Sequence, residues 1–184
     1  MKKAFLLVCV LSISVICTAC INSFAVQELN NKAMSFMDEG NYSAAIERLK
    51  SSIDLDDSVF ESHYNLAVAY TKSEDYINAM KSYQKAISIR PEFPDCYYSL
   101  AVTEENLASD LRAGLVRLDN EGNLIKPEET ESEEDNIAAP EVKLTDAEKI
   151  YVEDLLKDSI NNYNLYLTKA TNPEDADEVR THIS

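Results

Sequence analysis

The chain has 184 residues, 45% apolar and 27% charged, the balance of a folding sequence and not of a wholly disordered one. Only 3 glycines and 5 prolines argue against a turn-dense all-β fold and suit long helices. A formal net charge of −16 repels phosphate backbones and anionic headgroups, which sets nucleic acid aside as a partner and leaves only a hydrophobic or covalent route to a membrane.

The first predicted element is an export signal. Lys2 and Lys3 precede an uncharged stretch from Ala4 to Ile21, the pattern of a secretory leader. The stretch is also just long enough to span a thin bilayer, so a retained anchor is the alternative. Residues 1–25 are read as the signal, ending at Ala19 if Thr18-Ala19-Cys20 acts as a lipoprotein box. Such a box resembles that of bacterial lipoproteins, whose Cys thiol takes the diacylglyceryl group; Cys17 departs from it, standing where an aliphatic residue is usual. Ser23-Phe24-Ala25 instead fits an ordinary cleavage site. The expectation is an exported protein of the bacterial cell envelope, held by lipid at Cys20, otherwise periplasmic or secreted. Either scheme is expected to leave Cys96 as the one unmodified cysteine of the mature chain, which then forms no intramolecular disulfide, and it reads as a small buried hydrophobe.

A 34-residue repeat follows. Ala33, Ala67 and Ala101 fall on one another, as do Phe36 and Tyr70, Asn41-Tyr42 and Asp75-Tyr76, Ala45 and Ala79, and Leu49 and Tyr83. Each unit reads as two antiparallel helices whose small residues permit close approach while aromatic residues fill the space around them. Helices are expected from Phe60 to Thr71 and from about Tyr76 to Ile89, with Asp75 capping the second and Pro91 ending it. The stretch from His63 to Pro91 resembles the tetratricopeptide-repeat (TPR) family, and the resemblance runs contiguously over roughly residues 26–107. Repeat one departs from the family pattern at Lys32 and Asp57. The fold class implied is all-α: a short TPR solenoid with repeats at 26–59 and 60–93 and a third over 94–172.

The third repeat is split. Its first helix is expected from Pro94, with Tyr97, Leu100 and Ala101 in register, but its second resumes only near Ser159-Ile160, with Tyr163 and Tyr166. A tenfold longer connection costs only about 2 kcal/mol of closure entropy. Leu107, Leu111 and Leu115 extend one apolar stripe, and Val152, Leu155, Leu156 and Ile160 the other, so two overlong helices are predicted. The insertion at about 114–146 reads as a hairpin, Leu115–Leu118 against Leu124-Ile125, followed by an acidic mobile segment around Glu128–Asp135. Asp119 to Asn123 reads as a plain turn, lacking the spacing of a calcium loop. Residues 173–184 form a capping helix.

No catalytic, metal or cofactor motif stands out, so the chain is expected to be no enzyme and to hold no cofactor. His63 reads as a packing residue and His182 as exposed. The TPR resemblance implies a peptide groove lined by the first helix of each repeat. Its candidates are Asn30, Met34 and Met37 in repeat one, then Tyr64, Asn65, Val68 and Lys72 in repeat two, then Tyr98, Val102 and Glu105 in repeat three. A clamp for partner carboxylates is disfavoured, since Asp95 and Ser99 stand where it needs basic groups. The tyrosines and methionines suit an apolar or amphipathic peptide, unless Tyr64 and Tyr98 simply pack between repeats. The expected partner is an unidentified protein or peptide, with the membrane reached through the leader alone. The alternative is a structural subunit that self-associates as a homo-oligomer or packs into a larger membrane complex.

Overall fold

The computed structural model describes residues 22–127 and 142–184, apart from the side chains of residues 173–175. The predicted leader with Cys20, and the acidic segment around 128–135, lie outside the described residues. Helix α1 covers residues 22–38, followed by α2 (Tyr42–Leu55), α3 (Phe60–Lys72), α4 (Tyr76–Ile89) and α5 (Pro94–Ala113). Strands β1 (Arg117–Leu118) and β2 (Leu124–Ile125) come next, then α6 (Asp146–Lys169) and α7 (Pro173–His182). The chain divides after Pro91 into two compact units.

In the first unit, the 34-residue spacing is reproduced bond for bond at the turns. Asn41 caps α2 by accepting from Ala44 N, and Asp75 caps α4 by accepting from Asn78 N. The cap residues share one backbone conformation, φ −87°, ψ 68° and φ −88°, ψ 67°. Asn41 N donates to Phe36 O and Asp75 N to Tyr70 O, so each turn also closes the helix before it. Both turns pass through a left-handed residue, Gly40 in the first (φ 74°) and Glu74 in the second (φ 62°). A β-carbon disfavours that region, so the second turn carries strain that the first avoids.

The core of this unit follows from residue size. Ala33, Ala45, Ala67, Ala79 and Ala86 have no exposed surface, which lets helix backbones approach closely. Leu49 and Tyr83 fill the equivalent place in α2 and α4, at 0% and 2% exposure; burying a side chain of this kind contributes about 1.5–3 kcal/mol. His63 is buried, with Nε2 2.8 Å from Asp57 O, so it fastens the α2–α3 connection.

The second unit is the lengthened pair. α5 and α6 run for 20 and 24 residues, against 13 or 14 for α2 to α4. Leu107, Leu111, Val152 and Leu155 are buried as predicted, but the ends of both expected stripes are corrected. Leu115 is 61% exposed because α5 stops at Gly114, whose φ of 72° turns the chain away. Val116 is buried in its stead. Ile160 is 46% exposed because its neighbour Ser159, fully buried, takes the small inward position. The hairpin forms with Arg117 opposite Ile125 and Leu118 opposite Leu124. Its turn is organised by Asp119, whose carboxylate accepts from Glu121 N, Asn123 N and Asn123 Nδ2. These bonds hold the carboxyl below its usual range, and they make the segment a side-chain-capped turn. α6 opens with a capping box between Thr145 and Glu148.

Candidate peptide-binding surfaces

The groove candidates divide between the two units, and each set has its own surroundings. In the first unit Met34 is 53% exposed on α1, and Met37 is half-buried three residues on. On α3, Asn65 and Val68 are half-buried and Lys72 is exposed. Tyr64 is half-buried, its ring stacked on Phe60 at 5.8 Å and set edgewise to Tyr83 at 6.0 Å. Its packing is thus satisfied within the unit, while one part of the side chain still reaches the surface.

Asn30 does not line a surface. It is 8% exposed, and its Nδ2 lies 2.9 Å from Val26 O and 2.8 Å from both Ser52 Oγ and Ser62 Oγ. The two hydroxyls are themselves 2.9 Å apart. This small polar knot joins α1, α2 and α3 inside the unit, with Asn30 Oδ1 buried and without a partner among the described residues. The 34-residue register equates Asn30 with Tyr64 and Tyr98. An amide is shorter than a phenol ring and is drawn inward by two buried hydroxyls, so equal register gives unequal exposure.

In the second unit, Tyr98 and Glu105 project from α5 towards α6 and α7. Tyr98 is 43% exposed, and its ring meets Tyr163 at 5.7 Å and Tyr166 at 5.5 Å. The interplanar angles are 64° and 55°, so the rings lean on one another without stacking. These three rings line a cleft of about 460 Å³. Asp95 at the start of α5 and Glu178, Val179 and His182 on α7 complete its wall. Val102 is half-buried and lies outside that lining.

Glu105 locks the cleft from one side. It accepts from Tyr163 Oη at 2.9 Å, and His182 Nε2 lies 3.0 Å and 3.1 Å from its two oxygens. The His182 ring also meets Tyr163 edgewise at 5.4 Å. Burial is the main cause that pushes the Tyr163 phenol up, with the Glu105 carboxylate reinforcing it. One residue earlier, Glu104 is 5% exposed and its carboxyl is pushed up to about 7 by burial, against the opposing hydrogen bonds from Asn162 Nδ2 at 2.9 and 3.1 Å. Glu104 stands 34 residues beyond Tyr70 and 68 beyond Phe36, at a place the first two repeats fill with a ring.

Sequence reading missed Asp95, Glu178, Val179 and His182 as a wall, and treated Tyr163 and Tyr166 only as markers of register. The available signal was the offset of 80 between Ala79, Tyr83 and Ala86 and Ser159, Tyr163 and Tyr166. It aligns α6 with α4 and so sets Tyr163 beside α5. Cys96 is fully buried in α5. Among the described residues no group of three or more His, Cys, Asp or Glu is placed to hold a metal ion, and no helix is long and apolar enough to cross a membrane.

Two family models agree with the repeat geometry. Residues 60–93 match the tetratricopeptide repeat model and residues 34–73 a second TPR repeat model. A homolog of the BBSome complex member BBS4 from Drosophila melanogaster is 29% identical over 90 residues, covering 49% of this chain and 18% of the fly protein. The photosystem I assembly protein Ycf3 of Prochlorococcus marinus strain NATL1A is 29% identical over 77 residues, 40% of this chain and 44% of that protein. The chain thus spans less than half the length of these curated relatives. The crystal structure of MamA aligns at a TM-score of 0.46 and 18% identity, covering 86% of this chain and 74% of that one.

Proposed function

The chain is a TPR repeat protein, and from that premise we propose that it is a scaffold which holds a segment of another protein and serves assembly in the bacterial cell envelope. The observation that carries this reading is the exposure of Met34 and Tyr98, large apolar side chains at 53% and 43% on the first helices of their repeats. Such side chains gain by being covered, and methionine and tyrosine adapt to varied partners. A relative whose name is that of an assembly protein is in keeping with it. The envelope location rests on Lys2, Lys3 and the uncharged stretch to Ile21, and lipid attachment on Cys20.

A photo-crosslinking amino acid placed at Met34 or Tyr98 in living cells tests the scaffold. The expected result is a discrete crosslinked protein from each site, and none from the exposed control position Lys149. Equal labelling at all three sites counts against the binding surfaces, and crosslinks only to a second copy of the chain favour a self-associating subunit. Mass spectrometry of the mature N-terminus tests the location: a diacylglyceryl-modified Cys20 is expected, and an unmodified start at Val26 overturns the lipid anchor.

A further inference from the structure

Resting on that binding reading, we propose that the tyrosine cleft of the second unit receives a cationic side chain, lysine or arginine, of the bound segment. Tyr98, 43% exposed, offers most of the open aromatic surface, and the buried rings of Tyr163 and Tyr166 line the cleft behind it at inclined angles. The face of an aromatic ring carries the negative end of its quadrupole and attracts a cation set over it. The carboxylates of Asp95 and Glu178 stand in the same wall. Among the described residues neither has an ion-pair partner.

The basic side chains near this end already have partners of their own. Arg180 pairs with Asp177 at 2.6 Å, Lys169 lies over the Tyr97 ring at 5.2 Å, and His182 faces Glu105. Glu105 in turn accepts a hydrogen bond from the Tyr163 hydroxyl, which fixes that ring in place. An apolar occupant would cover Asp95 and Glu178 without replacing their water, whereas a guanidinium or ammonium replaces it. The volume of about 460 Å³ suits a single long side chain and its flanks rather than a whole helix. A net charge of −16 draws a basic segment from a distance as well.

The test titrates the full chain, in detergent micelles, with acetyl-arginine methylamide and with its neutral analogue acetyl-norleucine methylamide, following the tyrosine ring signals by NMR. The arginine probe is expected to shift Tyr98, Tyr163 and Tyr166 while the neutral probe leaves them in place. Asp95→Asn combined with Glu178→Gln is expected to weaken the arginine response by about three- to tenfold, the range of one exposed ion pair to several. Thermal melting of that variant checks that the fold is kept. Equal shifts from both probes, no shift from arginine, or an undiminished response in the folded variant would each overturn the proposal. The in-cell crosslink from Met34 separates the two readings. Its absence sinks the scaffold while leaving the arginine titration interpretable, and its presence beside a silent titration sinks only the cationic occupant.

Discussion

Arg117 on β1 holds Glu148 on α6 by two parallel bonds, Nε to Oε1 at 2.7 Å and Nη2 to Oε2 at 2.9 Å. Glu148 also accepts from Leu118 N, Thr145 N and Thr145 Oγ1, so a single carboxylate with no exposed surface joins the hairpin to the N-terminus of the helix. The Arg117 guanidinium is the main reason its carboxyl is held down to about 2. A depressed carboxyl contributes stability above its unfolded value near 4.5 and loses it as pH falls through about 2. Arg117→Ala strands that charge and is expected to cost about 2–3 kcal/mol at pH 7. Denaturant unfolding at pH 7 and pH 3 checks it, the deficit being larger at the higher pH; equal unfolding midpoints for wild type and variant at pH 7 would show that the pair contributes nothing.

Glu104 behaves in the opposite sense. Its carboxyl is raised from 4.5 to about 7, so the folded chain binds the proton more tightly than the unfolded one. Stability from this group is fully present below pH 4.5 and is lost as pH rises through about 7. Glu104→Gln keeps an acceptor for Asn162 and removes the charge. The variant is expected to match wild type at pH 5 and to exceed it at pH 8 by about 2–3 kcal/mol. Melting curves at the two values check this, and a variant weaker at pH 8 contradicts the burial account.

The two turns of the first unit predict substitutions of opposite sign at equivalent places. Glu74→Gly removes a β-carbon from a left-handed residue and is expected to stabilise by about 0.5–1 kcal/mol. Gly40→Ala introduces one at the same φ and is expected to destabilise by about 1 kcal/mol. Asn41→Ala and Asp75→Ala each remove a side-chain cap, at about 1 kcal/mol apiece. Chemical unfolding of the four variants checks the pattern; a loss at Glu74→Gly equal to that at Gly40→Ala would contradict it.

Asn30→Ala separates folding from binding. It removes the donor that links Val26 O with Ser52 and Ser62, and the expected cost is about 1–3 kcal/mol of stability. The crosslink from Met34 should persist at equal yield per folded molecule, because Asn30 is buried. An unchanged melting point with a lost crosslink would return Asn30 to the surface.

The repeat period, the helix pairs and the long split pair were legible in the sequence because small and aromatic residues recur at fixed offsets, and close helix packing demands those sizes at those places. The cap at Asp75 and the turn at Asp119 were legible for a related reason: they depend on bonds to residues two to four positions away. Register could not distinguish exposure at equivalent positions, and Asn30 went inward because Ser52 and Ser62, 22 and 32 residues away, offered it hydroxyls. Nor could it show the cleft, whose wall joins Asp95 and Tyr98 to Tyr163, Tyr166 and the end of α7 across the insertion. Glu148 caps its own helix through Thr145, a local pairing, whereas only the fold brings Arg117 to it. Sequence by itself determined the local periodicity and its packing faces. Tertiary structure decided which polar groups are buried, because burial and charge pairing depend on groups far apart in the chain that only folding brings within bonding distance.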